Sequence, residues 1–156
     1  MYDEFRIPGT EFVEGEMLLA TFVYCSRAAD GVDDPEVARI VEFAQSHNRA
    51  RGITGMLVYE SGVFFQWVEG PVAQVQRLMT SLYADARHYD VVALDHSEER
   101  RERLYPDWEM EQVGADDLHA VLQDALATAE DQSIVAALNR ILAQLASGPW
   151  VSLRQT

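Results

Sequence analysis

Along this chain the spacing of apolar residues switches from two to about 3.6 and back, and that order of periods restricts the fold more than any other feature. Met17 to Tyr24 alternate as a strand buried on both faces, with Leu18, Ala20, Phe22 and Tyr24 on one side. Helical spacing follows. Asp34 is the expected N-cap and Pro35 the first helical position, the apolar stripe is Val37, Ile40, Val41 and Ala44, and Gly52 closes the helix. Ile53 to Tyr59 and Val63 to Val68 return to strand character, and the short Glu60-Ser61-Gly62 link predicts a hairpin. Gly70-Pro71 opens a second helix with a stripe of Val72, Val75, Leu78, Met79 and Leu82. A strand is expected near Asp90 to Leu94, and a charged loop from His96 to Arg103. A last strand, from about Trp108 to Val113, is expected to carry Trp108, Met110 and Gln112 on one face and Glu109 and Glu111 on the other.

The order β-α-β-β-α-β plus one strand is the ferredoxin-like pattern. It is an α+β fold with a mixed sheet, two helices on one face, and the first and third strands adjacent at the centre. From Ala115 the periodicity is purely helical, with Leu118, Val121, Leu122 and Ala125 in one helix. Ile134, Val135, Leu138, Ile141, Leu142 and Leu145 fall in the other, which is expected to stop at Gly148-Pro149. These stripes need a partner, either the open sheet face or another chain. The chain thus divides into an N-terminal extension (1–16), a globular domain (17–114) and a two-helix C-terminal extension (115–156).

Charge excludes some partners. Twelve basic residues, all arginine, stand against 26 acidic ones, a net charge of −14. Such a chain repels phosphate backbones and anionic lipid surfaces, so neither nucleic acid nor membrane is expected as a partner. No apolar run reaches the ~18 residues of a membrane span, and the acidic start, MYDEFRIPGTEFVEGE, lacks the apolar core of a secretory signal. Cys25 is the single cysteine and cannot form an internal disulfide, which points to a reducing, cytoplasmic setting.

Polar residues occupy positions where the pattern asks for apolar ones. The first-helix stripe runs on by i+3 and i+4 spacing into His47 and Asn48, Gln66 interrupts the apolar run Val63 to Val68, and Tyr24 ends the first strand. Each has a plainer reading when taken alone: a glutamine bonded to a neighbouring backbone, a capping asparagine, a packed histidine, a core tyrosine with a wet tip. Together, in this topology, they converge on one slot between the two helices, walled by Ile40, Phe64 and Ile53. An apolar slot with a few oriented amides suits a flat heterocycle.

The segments FVYCS, SHNRARGITGMLVYESGVFFQWVEGP, DARHYDV and YPDWEME, in that order and spacing, resemble the BLUF domain, a flavin-binding blue-light receptor family. The resemblance covers roughly Met17 to Val113. It implies a non-covalently bound flavin, FAD by preference with FMN and riboflavin as alternatives, and a photoreceptor rather than an enzyme. It implies that Tyr24 is the redox-active tyrosine and Gln66 the amide between it and the flavin. Asn48 would bond the pyrimidine edge, with His47 its flavin-contacting neighbour. Arg87 and His88, with Asp85 close by, would lie near the ribityl and phosphate part, and Ile40, Ile53 and Phe65 at or near the ring. Trp108 and Met110 match the family's last-strand pair whose switching is debated; a signal is expected to leave through this strand and to reach the C-terminal helices. Ala44 departs from the family, standing where some members have a serine that can bond the tyrosine. A downstream regulatory protein and a homo-oligomer are the expected partners. Two other classes remain open at this point, a flavin-dependent redox enzyme and a flavin-free interaction module. Cys25 is set on the strand face opposite Tyr24, which argues against a cysteinyl–flavin adduct.

Overall fold

A computed structural model describes residues 17–147. The extension 1–16 and the expected stop at Gly148-Pro149 lie outside the described residues. In chain order the elements are β1 (Met17–Ala28), α1 (Asp34–Arg51), β2 (Thr54–Glu60), β3 (Val63–Pro71), α2 (Val72–Ala84), β4 (His88–Arg101), β5 (Glu109–Gln112), α3 (Ala115–Thr128) and α4 (Gln132–Ser147). The five strands form one sheet in the order β4-β1-β3-β2-β5. All pairings are antiparallel except β2 with β5. This is the ferredoxin-like α+β arrangement with an added strand, and β1 and β3 lie side by side near the centre.

Local chemistry sets the element ends. Asp33, one residue earlier than expected, caps α1 by accepting the Glu36 N–H at 2.9 Å. Gly52 ends that helix in the left-handed region, at φ 71°. The β2–β3 hairpin turns through Ser61 and Gly62, both at positive φ (51° and 82°), the twist a two-residue hairpin favours.

The expected charged loop from His96 is strand instead. Its backbone pairs with β1 from Met17 opposite Arg101 to Val23 opposite Asp95, and half-buried and exposed residues alternate along it. Charge did not prevent strand formation because β4 is an edge, where charged side chains reach water and discourage further pairing.

Two cores form, one on each sheet face. On the near face Ala20, Phe22, Tyr24, Leu57, Phe64 and Val68 meet Val37, Ile40 and Val41 of α1 and Val75 and Leu82 of α2. On the far face Val23, Cys25, Met56, Phe65 and Trp67 meet Leu118 and Leu122 of α3 and Leu138 and Ile141 of α4. The open sheet face is therefore the partner of the last two helices. Leu18, expected with the inward residues of β1, is 43% exposed near the strand's start.

A buried polar knot ties the far end of the sheet together. Glu69, wholly buried, accepts from Arg101 Nη1 at 3.0 Å and from the N–H groups of Leu104 and Tyr105 at 2.8 and 2.9 Å. Arg101 also donates to Thr21 Oγ1. A buried carboxylate is tolerable only with such full pairing.

Candidate functional site

The near face carries a cleft of about 410 Å³ between α1 and α2. It is lined by Tyr24, Ile40, His47, Asn48, Gln66, Asp85, Arg87 and His88, all singled out from the sequence. The alternation of β1 and β3 explains the floor. Tyr24 and Gln66 sit opposite each other in register and point the same way, so their side chains meet. The Tyr24 hydroxyl donates to Gln66 Oε1. The Gln66 amide in turn donates from Nε2 to the Met110 sulfur at 3.0 Å. Gln66 thus links the central strand pair to β5.

Burial decides the ionisation of the floor. Tyr24 is 2% exposed, and its pKa is driven well above the usual tyrosine value by desolvation and then by the negative charge of Asp85. It stays a phenol throughout the neutral range. Asp85 is held below its usual value by its hydrogen bonds to Arg87, whose Nη2 lies 2.7 Å from Oδ2. His88 is pushed below its usual value by burial. Its Nδ1 lies 2.9 Å from Ser26 Oγ, and its ring packs on Phe64 at 4.6 Å between centroids. These contacts hold a neutral imidazole as a wall of the cleft.

Three sequence expectations fail here. Phe65 is wholly buried on the far face, because β3 alternates and Phe64, not Phe65, shares the side of Gln66. Ile53 and Phe64, expected as walls, belong to the near-face core but are not among the residues lining the cleft. Trp108 and Met110 do not share a face. Met110 is buried on the near face against Gln66, while Trp108 packs on the far-face core and stacks on Tyr105 at 4.8 Å and 10°. The cause is a break in alternation. Met110 lies at φ 65°, its N–H bonds back to the Trp108 carbonyl at 2.8 Å, and the β2–β5 register slips between Gly55 and Met56. Phe43, Arg51, Leu57, Leu78, Ser81 and Leu82 also line the cleft and were not foreseen. The helix stripe would have supplied Leu78 and Leu82, and the alternation of β2 would have supplied Leu57.

The donor set suits a flat heterocycle. Asn48 is 3% exposed, and its Nδ2 is buried without a hydrogen-bond partner. Such a group costs about 1–3 kcal/mol unless an acceptor meets it. Apolar walls from Ile40, Leu57 and Leu82, with amides at Asn48 and Gln66, match a ring bearing carbonyls and ring nitrogens.

Fold and cleft together define a small ferredoxin-like domain whose cleft, suited to a flat heteroaromatic ring, opens over a tyrosine–glutamine pair. The family of sensors of blue light using FAD matches residues 19–111, and the chain belongs to this BLUF family, which binds flavin. It is 39% identical over 87 residues to the photoactivated adenylate cyclase subunit alpha of Euglena gracilis, covering 56% of this chain and 8% of that protein. It is 33% identical over 86 residues to the blue light- and temperature-regulated antirepressor BluF of Escherichia coli (strain K12), covering 54% of this chain and 21% of that protein. The chain thus spans a small fraction of these relatives. Among solved structures, the dark state of the BLUF protein BlrB superposes with a TM-score of 0.62 at 29% identity, over 82% of this chain and 98% of that one. The BLUF domain of BlrP1 shares the fold, with a TM-score of 0.67 at 24% identity over 85% of this chain and 93% of that one. No described helix is long and apolar enough to cross a membrane.

Proposed function

We propose that this chain senses blue light through Tyr24 and Gln66 and passes the change to a partner protein through β5 and the helices behind it. The chain of hydrogen bonds from Tyr24 through Gln66 to Met110 carries this reading. FAD is the cofactor we favour. Asn48 and His47 would hold the ring edge, Ile40 would pack on the ring, and Arg87, His88 and Asp85 would lie towards the side chain. The bound flavin supplies blue absorption and an electron-accepting ring.

The protein's own part is proton and amide chemistry. Tyr24 stays protonated in the dark because burial disfavours its anion. Losing an electron makes the phenol strongly acidic, and its proton has one ready acceptor, Gln66 Oε1. The amide then rotates or tautomerises, the tyrosine regains its electron together with its proton, and no covalent bond remains. A turned amide no longer presents Nε2 to the Met110 sulfur, so a side-chain link from the central strands to β5 changes. In a low-dielectric site such a switch is worth about 1–3 kcal/mol. That suffices to shift an element whose two states are nearly balanced.

In this reading residues 17–114 form the flavin-binding unit and residues 115–156 the output segment. The test is an absorption spectrum of the purified chain before and after blue light, with Gln66→Leu alongside. A reversible red shift in the wild type and none in the variant is expected. A full shift in Gln66→Leu removes the relay role. Hydrogen exchange in α3 and α4 that is identical in dark and light removes the output route.

A further inference from the structure

We infer that the cavity beside the ring cleft, carrying Arg51 and Arg77, is an anion subsite for the phosphoryl group of a phosphorylated flavin. The inference rests on the flavin reading of the cleft. This second cavity, about 540 Å³, is lined by Arg51, Ala73, Gln76, Arg77, Thr80 and Ser81. Arg51 and Ser81 line the ring cleft as well, so the two cavities adjoin at these residues.

Charge makes the site specific. In a chain of net charge −14 a guanidinium ordinarily finds a carboxylate. Arg27, Arg39, Arg49, Arg87, Arg101 and Arg140 all do. Neither Arg51 nor Arg77 has such a partner among the described residues, no acidic residue lines this cavity, and the two share its wall. Two guanidiniums without a carboxylate partner among the described residues share one concave surface, an arrangement that favours an anion between them. Their forked donors match phosphate oxygens, and Gln76 and Ser81 add neutral donors. Arg87, the arginine that family resemblance sets near the phosphate, spends Nε and Nη2 on Asp85 at 3.1 and 2.7 Å. Its charge is already largely answered.

The test is titration of the flavin-stripped full chain with riboflavin, FMN and FAD, followed by quenching of flavin fluorescence. FMN and FAD are expected to bind at least about tenfold more tightly than riboflavin, about 1.4 kcal/mol, with the gap shrinking as salt rises. If the FAD gap exceeds the FMN gap, both phosphates of the diphosphate are held; equal gaps assign one. In Arg51→Gln/Arg77→Gln the ratio is expected to fall towards one, while inorganic pyrophosphate, which competes with FAD in the wild type, loses its effect. The melting temperature of the flavin-free variant controls for folding. A gap that survives the double substitution, or that closes only in Arg87→Gln, overturns the subsite. Equal wild-type affinity for the three flavins overturns it while leaving the ring site standing. Failure of the wild type to bind any of them removes the ring site too.

Discussion

Tyr24 and Gln66 form a buried pair whose energy can be isolated by a double-mutant cycle. Tyr24 is 2% exposed and Gln66 7%, so water replaces either partner poorly. Tyr24→Phe leaves Gln66 Oε1 without its donor. Gln66→Leu leaves the Tyr24 hydroxyl without an acceptor and also removes the contact to the Met110 sulfur. A buried group orphaned in this way costs about 1–3 kcal/mol, and each single change is expected in that range. The double variant has no orphan at this pair. Its loss is expected to fall short of the sum by about 1–2 kcal/mol, the coupling energy of groups in contact. Urea unfolding of the flavin-free chain at constant m-value measures this. Thermal melts offer a second reading, at about 2–4 °C per kcal/mol for a protein of this size. Losses that add within about 0.5 kcal/mol would mean that the pair is not bonded in solution. The argument for Gln66 as a proton acceptor would then fail, whatever the light-induced spectra show.

Other consequences of the structure are as direct. Glu69→Leu or Arg101→Leu alone takes from a buried charge its nearest partner and is expected to cost about 3–5 kcal/mol, and the double replacement less than the sum of the two; urea midpoints decide. At Gly55, φ is 148° and an added Cβ would lie 1.8 Å from the Trp67 carbonyl oxygen, so Gly55→Ala is expected to lose more than about 3 kcal/mol or yield no soluble chain. His88 has a folded pKa below its usual 6.5, so the unfolded chain binds the extra proton first. Its contribution is complete above pH 6.5 and is lost as pH falls from that value towards the folded pKa. His88→Gln should flatten the stability profile in that window. Asp85, also depressed, acts separately below its usual 3.8, and a profile unchanged by His88→Gln would place the acid sensitivity elsewhere.

The elements most legible in the sequence were those whose inner faces carry a clean period. The stripe of α1 and the alternation of β3 placed Ile40, Asn48, Gln66 and Tyr24 on one side of the sheet, and the topology brought them together. The same alternation, applied strictly, would also have excluded Phe65 from the ring site. What stayed hidden depended on tertiary context. His96 to Arg101 carries no apolar signal, yet it pairs as an edge strand because β1 offers a free row of backbone groups. Glu69, just past the expected strand Val63 to Val68, is a wholly buried anchor whose partners lie more than thirty residues away in Arg101, Leu104 and Tyr105. The opposite facing of Trp108 and Met110 could not be read at all, because period-two reasoning assumes an unbroken strand, and a positive φ at Met110 breaks it.

That break bears on how a signal leaves the cleft. β5 has four residues and is held to β2 through a slipped register, with Met110 in the sparsely populated left-handed region. It is the shortest strand of the sheet and an edge, so its hold is drawn from the low end of local stability. Its inward residue contacts Gln66, and just before it Trp108 packs against the far-face core shared with α3 and α4. A push on the Met110 side chain is therefore resisted by few backbone bonds and reaches the other face of the sheet within two residues. A change of about 1–3 kcal/mol at one amide would be absorbed unnoticed in the central strands. It is commensurate with what holds so short a strand, which is why the proposed route from the cleft to the last two helices runs through β5 and not through the long regular strands.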